Sequence, residues 1–229
     1  MTPTTKFKAA LGGLALIAAA AVPLAAAPTA TGAAAPATHT VSAEAVAAAK
    51  PVPKLGYSTQ TVKTLNIDFQ YQQTGYWCGP AATRIALSAR ISPPSQQQLA
   101  NELPTTTNGT DWIGQVTPVL NNHLGTGWYE TKEMPNDPPT QAQRDLLWRD
   151  VVLDIDNNYP IVANIVAPAS NHPPGYPNYT IYHYFTVIGY DDSDQTVLIA
   201  DPAGFAPTAT YWLTFNQLAT LIPPKGYSA

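Results

Sequence analysis

The chain has little of what usually carries chemistry: among its 229 residues there is one cysteine, there are four histidines, and only 11% of the side chains are charged. With Cys78 the only cysteine, no internal disulfide can form. Cations are scarce as well. Residues 54–229 hold eight Lys and Arg against fourteen Asp and Glu, a net charge near −6, so they lack the basic stripe that binding to a phosphate backbone requires. Nucleic acid is therefore not an expected partner. The sequence has no phosphate-cradling glycine loop of the Walker type, no His-Glu-x-x-His pair and no internal repeat, absences that remove several enzyme classes. No cofactor and no metal are expected.

What is present begins with a leader. Residues 1–8 carry Lys6 and Lys8 without an acid, and the apolar run 9–27 ends on Ala25-Ala26-Ala27, the layout of a secretory signal over 1–27. Gly12, Gly13 and Pro23 interrupt that run and no charged stop-transfer flank follows, so a stable membrane anchor is not expected. Residues 28–53 are mostly Ala, Pro and Thr, too poor in large apolar side chains to offset the entropy of ordering. They read as a disordered spacer or pro-segment. Residues 54–229, about 175 in number, are enough for one domain with a sizeable core. In an exported chain the leftover Cys78 is a free reactive thiol, a link to another chain or a small buried filler.

Apolar spacing and punctuation give a coarse map. Residues 64–68 read as a short strand. Residues 78–89, with Ala82, Ile85, Ala86 and Ala89 at helical spacing and Pro80 in the first turn, predict a buried helix that begins at the cysteine. Ser95 caps a short helix to Glu102, Asp111 opens another over 112–124 that ends at Gly125, and 128–131 form a small strand. The longest amphipathic helix is predicted over 140–157. After Pro160 the pattern changes to strand-like runs at 161–166, 182–190, 196–200 and 210–213. Between the first two lies a proline-rich loop, 168–180, with Tyr176 and Tyr179, readable as a lid or as a surface connection. Helices first and an antiparallel sheet after predict an α+β fold of two packed layers, with the cysteine helix laid against the sheet.

A thiol becomes a useful nucleophile when a base takes its proton or positive potential favours its anion. The helix beginning at Cys78 supplies potential through its first-turn N–H groups. For a base, His39 falls in the spacer, His123 at a helix end and His172 in a loop, whereas His183 opens the strongest strand, Tyr182-His183-Tyr184-Phe185-Thr186-Val187-Ile188-Gly189-Tyr190. That strand turns at Asp191-Asp192-Ser193-Asp194 and returns to Asp201-Pro202. If Tyr190 pairs near Gln195, His183 lies opposite residue 202, and a one-residue shift at the turn sets it opposite Asp201. Asp201 can then fix the imidazole tautomer as the third member of a Cys-His-Asp relay. Donors for an oxyanion are the Cys78 N–H and the side-chain amide of Gln72 or Gln73.

Three blocks, Gln-x5-Cys-Gly-Pro-Ala over 72–81, His183-Tyr-Phe-Thr-Val-Ile-Gly, and Asp201-Pro202, together resemble the cysteine peptidase family 39-like domains, members of the papain-like group, over residues 65–221. The resemblance implies a papain-like fold with Cys78 as nucleophile, His183 as base, Asp201 as orienting residue and Gln72 as oxyanion donor. Two departures stand out. Well-known members are amino-terminal domains of export transporters that cut leader peptides after a double glycine, whereas this sequence has neither transporter spans nor an ATP site, and Trp77 replaces the acidic residue before the cysteine. The expectation is a secreted, monomeric, thiol-dependent hydrolase whose partner is a peptide or protein substrate, cell-wall peptide included. The competing expectations on the same fold are a non-catalytic peptide or cell-wall binding module and a cell-wall amidase or acyl transferase.

Overall fold

A computed structural model describes residues 62–229; the expected signal (1–27) and spacer (28–53) lie outside the described residues, as do the first positions of the expected domain. In chain order the elements are β1 (Val62–Thr64), α1 (Cys78–Ser88), α2 (Gln96–Glu102), a 3-10 turn (Ile113–Gln115) running into α3 (Val116–Leu124), β2 (Thr131–Glu133), α4 (Gln141–Asp156), β3 (Ile161–Ala167), β4 (Ile181–Asp191), β5 (Thr196–Ala200), β6 (Thr210–Thr214), α5 (Phe215–Leu221) and β7 (Gly226–Ser228). Local chemistry sets most of these ends. Ser95, Thr140 and Thr214 cap α2, α4 and α5 by accepting the N–H groups of Gln98, Gln143 and Gln217. Gly125 closes α3 in the left-handed conformation at φ 60°.

The sheet is antiparallel, in the order β2-β7-β3-β4-β5-β6, with β1 also paired to β4. Residues alternate across it. Ile161, Ala163 and Ile165 of β3 and Phe185 and Val187 of β4 face α4 and α5, where Leu147, Val151, Ile155, Leu218 and Leu221 complete one core cluster. Val162 and Tyr184 face the other way, onto Ala82, Ala86 and Leu87 of α1 and Val116 and Leu120 of α3. Helices therefore cover both faces, and the expected two-layer arrangement is corrected to three layers. The near-continuous apolar runs of β3 and β4 are the sequence counterpart, because a strand buried on both faces has no polar side to alternate with. Among the described residues no helix is long and apolar enough to cross a membrane.

Three local readings change. The first strand stops at Thr64 instead of spanning 64–68: after the Leu65 N–H donates to the Ile188 carbonyl at 2.8 Å the chain leaves the sheet for α1. The strand read at 128–131 lies at Thr131–Glu133, since Trp128 is drawn off to stack on Tyr159 with ring centroids 4.5 Å apart. The 3-10 turn precedes α3, with the Trp112 N–H, and not Asp111, paired to Gln115 at its start. The hairpin turn holds as read, with the Asp191 carboxylate accepting the Ser193 N–H and hydroxyl.

A buried acid gives the fold a pH dependence. Asp154 of α4 is 2% exposed; Trp128 Nε1 donates to its Oδ1 at 2.8 Å, and Oδ2 has no hydrogen-bond partner among the described residues. Burial pushes its pKa up to about 7, against the pull of Trp128 and with help from Asp150. Below the unfolded value of 3.8 both states hold the proton and nothing is gained or lost. Between pH 3.8 and 7 only the folded state keeps it, and above 7 the cost levels off at about 4 kcal/mol. Asp154→Asn is therefore expected to raise the thermal midpoint at pH 8 and leave it unchanged or lower at pH 4. An equal rise at both values contradicts this account of Asp154.

Candidate active site

Cys78 is the first residue of α1, and that end is left open. Trp77 stands at the cap position without a side-chain hydrogen bond, unlike the hydroxyl-capped starts of α2, α4 and α5. First-turn N–H groups, which have no helical partner, and the positive end of the helix dipole thus meet the sulfur. Gly79 allows the adjoining wall to close in: a Cβ there would stand 2.3 Å from Thr110 Oγ1 and 2.8 Å from Thr110 Cβ. Behind it, Thr186 Oγ1 donates to the Ala82 carbonyl at 2.9 Å and pins α1 to β4.

The ladder between β4 and β5 begins only at Thr186, paired with Ala200. The preceding stretch of β4 is paired to β3 alone, so its other edge is open to the thiol. Cys78, His183 and Tyr184 line one groove there, of about 180 Å³. Burial pushes the Cys78 thiol up, but the His183 side chain, by hydrogen bonding and charge, and the backbone N–H groups of Tyr184 and Gly79 outweigh it, and the net direction is down from the ordinary thiol value.

His183 is 4% exposed and Asp201 2%. His183 Nε2–H donates to Asp201 Oδ1 at 2.8 Å, which leaves Nδ1 as the ring nitrogen free for the thiol. Burial disfavours the imidazolium, yet the Asp201 charge and hydrogen bond, followed by Cys78, carry His183 to about 10. Asp201 moves oppositely: burial raises it, while His183, Tyr211 and the Ala203 N–H draw it to about 2. The two meet by a different register from the one expected. Tyr190 pairs with Val197, and a bulge between Val187 and Gly189 advances the ladder by one residue. Carried one step past Thr186 and Ala200, it sets Phe185 beside Asp201 and His183 two positions further along the same face. The contact is thus a diagonal one, within reach of long side chains, and the expectation that His183 sits directly opposite residue 201 or 202 is corrected.

Two tyrosines complete the carboxylate's shell and were not legible as site residues. Tyr176 OH donates to Asp201 Oδ2 at 2.8 Å and Tyr211 OH to the same oxygen at 2.6 Å, while the Ala203 N–H donates to Oδ1 at 2.9 Å. Burial first, and then the Asp201 charge, hold both phenols far above the ordinary tyrosine value, so they remain donors. Tyr176 also sets its ring edge-on to His183, centroids 6.0 Å apart. Loop 168–180 therefore reaches the site through Tyr176. It is held close by Gly175 at φ +77°, where a Cβ would meet the Phe205 carbonyl oxygen at 2.3 Å. The proline-rich composition marked a loop but not which aromatic turns inward.

Gln72 is placed by its backbone, whose N–H donates to the Pro202 carbonyl at 2.9 Å, next to Asp201. One N–H of its side-chain amide donates to the Thr74 carbonyl at 3.0 Å, and its Oε1 is buried without a partner among the described residues. Gln73 points its main chain elsewhere, donating to Gln96 Oε1 at 3.0 Å. Gln96 is fully buried and also donates to the Tyr71 carbonyl at 2.9 Å, so one side-chain amide braces the approach to the cysteine. Arg84 braces the same approach from α1, donating to the Asp68 carbonyl at 2.8 Å and its carboxylate at 2.6 Å. Of the other histidines, His123 pairs with Glu102 at 2.6 Å and His172 lies on the Tyr179 carbonyl, while His39 is outside the described residues. Among the described residues no group of three His, Cys, Asp or Glu could hold a metal ion.

The domain is α+β, with its thiol-bearing helix laid on an antiparallel sheet. The chain belongs to the Peptidase_C39 like family, which matches residues 64–220. No curated protein matches the sequence. Among solved structures, the peptidase domain of Streptococcus ComA, a bi-functional ABC transporter involved in a quorum-sensing pathway, is similar at 18% identity over 72% of this chain and 98% of that one, with a TM-score of 0.46. A double glycine motif protease from an AMS/PCAT transporter, in complex with the leader peptide, is similar at 12% identity over 72% and 91%, TM-score 0.46. Xylellain, a cysteine protease from Xylella fastidiosa, is similar at 15% identity over 75% and 86%, TM-score 0.48.

Proposed function

We propose that this chain is a secreted thiol-dependent hydrolase that cleaves peptide or closely related amide bonds through Cys78, His183 and Asp201. The observation that carries the reading is geometric: Cys78 and His183 line one groove, and His183 Nε2–H donates to the buried Asp201 carboxylate at 2.8 Å, with proton affinities displaced in complementary directions. The thiol is lowered, the imidazole raised to about 10 and the carboxylate lowered to about 2. The directions of these shifts favour the thiolate–imidazolium form of the pair over the neutral one. Asp201, holding Nε2–H at 2.8 Å, keeps the other ring nitrogen toward sulfur. Export is supported by the basic head, apolar run and small-residue end of residues 1–27.

The chemistry follows from these roles. The Cys78 thiolate attacks the substrate carbonyl carbon, and the carbonyl oxygen takes the negative charge as the C–S bond forms. The Cys78 N–H and the remaining N–H of the Gln72 amide are the donors proposed for that oxygen, each worth about 100- to 1000-fold in rate where geometry is good. His183 gives its proton to the departing nitrogen as the C–N bond breaks, leaving a thioester. Neutral His183 then takes a proton from water, hydroxide attacks the thioester, and the acid product leaves as the thiolate–imidazolium pair returns.

The test is to offer the exported protein a broad peptide library, quench in acid and analyse the protein by mass spectrometry. An acyl fragment attached to Cys78, with the matching amine product in solution, is expected. Cleavage without any adduct at Cys78 under rapid quench, or an adduct elsewhere, contradicts the assignment.

A further inference from the structure

The groove beside Cys78 is lined by one acid and one base, neither of them ion-paired among the described residues. One lip is the 105–111 loop, which is fixed tightly. Thr106 and Gly109 exchange backbone hydrogen bonds at 3.0 and 2.9 Å, the Thr105 and Thr110 hydroxyls meet at 2.8 Å, and Thr110 fills the space left by Gly79. Asp111 ends this loop and lines the groove, and it enters no ion pair among the described residues. The lining also includes Lys225, its Nζ standing 5.7 Å from the centre of the exposed Tyr182 ring. The Lys225 backbone is fixed by its N–H on the Ile222 carbonyl at 2.9 Å and its carbonyl on the Met134 N–H at 2.8 Å. Lys225 also has no carboxylate partner among the described residues.

No aliphatic side chain lines this groove; beyond Cys78, His183 and the two tyrosines, its walls are Asn108, Gly109, Thr110, Asp111, Asn164 and Lys225. The rings of Tyr182 and Tyr184 are the only large apolar surfaces in that lining, so the charged side chains are what can tell one substrate from another by sign. We infer that the groove selects a dipolar peptide, with a cationic amine on one side of the scissile bond held by Asp111 and a carboxylate on the other side held by Lys225. The inference rests on the reading of Cys78 as the attacking group. Charges held on rigid backbone and left unmatched in the free protein are satisfied at little ordering cost when a complementary ligand arrives.

The test compares four matched peptides that carry lysine or norleucine on one side of the bond and aspartate or alanine on the other. With the wild-type protein kcat/KM is expected to be about two- to fivefold higher for each correct charge, the size of an exposed ion pair. Asp111→Asn should bring the lysine-to-norleucine ratio toward one, and Asp111→Lys should invert it. Lys225→Gln should do the same to the aspartate-to-alanine ratio. Wild-type ratios near one, or ratios that the variants leave unchanged, overturn the inference. Binding of the same peptides to Cys78→Ala, read as relative Kd, keeps the test independent of turnover. Charge preference in binding without cleavage by the wild type sustains this inference and sinks the hydrolase reading, whereas cleavage without any preference does the reverse.

Discussion

Cys78→Ala is expected to lower peptide turnover by about 10⁴-fold or more while leaving the fold intact. The chain has no second thiol to substitute for it, and removing the nucleophile of a catalytic relay leaves only the residual rate due to donors and binding. The site tolerates the change structurally. Cys78 is half-buried, and the stretch behind it is fixed by Gln96, Arg84 and Thr186 and not by sulfur. The unfolding midpoint should therefore move little, by roughly a single exposed-to-half-buried substitution. Turnover measured beside a thermal melt separates the two effects. Retained turnover in a folded Cys78→Ala protein refutes the hydrolase mechanism.

Replacing His183 should be nearly as severe for catalysis and informative in a second way. His183→Gln is preferred to His183→Ala because the amide still offers an N–H to Asp201, which is 2% exposed and would otherwise be a buried carboxylate without its cationic partner, a loss of about 3–5 kcal/mol. Turnover is expected to fall about 10³- to 10⁴-fold, since both proton transfers lose their carrier. The thiol responds too. The His183 hydrogen bond and charge that lower it vanish, the burial that raises it stays, and only the N–H groups of Tyr184 and Gly79 remain in opposition. A His183→Gln protein that melts normally and keeps more than a tenth of wild-type turnover rules out the imidazole as proton carrier.

Local signals read well from the chain and distant ones did not. The start of α1 at Cys78, the Ser95 cap and the Gly125 stop depend on neighbours in sequence, and the structure keeps them. The match of residues 64–220 to the Peptidase_C39 like family bears out the resemblance carried by the Gln-x5-Cys-Gly-Pro-Ala, His183 and Asp201 blocks. By contrast, β7 is three residues after a pair of prolines and exists because β2 and β3 pair with it on either side. No periodicity marks such a strand. The bulge near Gly189 escaped notice for a similar reason. It serves the close passage of β1, whose Lys63 carbonyl oxygen would stand 2.7 Å from a Cβ at Gly189, and a hairpin turn seen alone does not reveal it. Tyr176, Tyr211 and Gln96 look like ordinary surface residues in sequence, and only packing aims their polar atoms at Asp201 and the cysteine approach.

The most direct measurement is the rate at which iodoacetamide alkylates Cys78 as a function of pH, in the wild type and in His183→Gln. The wild-type rate should rise through a midpoint below the ordinary thiol value of 9.0, and the His183→Gln midpoint should move upward. A wild-type midpoint at or above 9.0, with no displacement on losing the imidazole, would mean that the sulfur is not held ionised by His183.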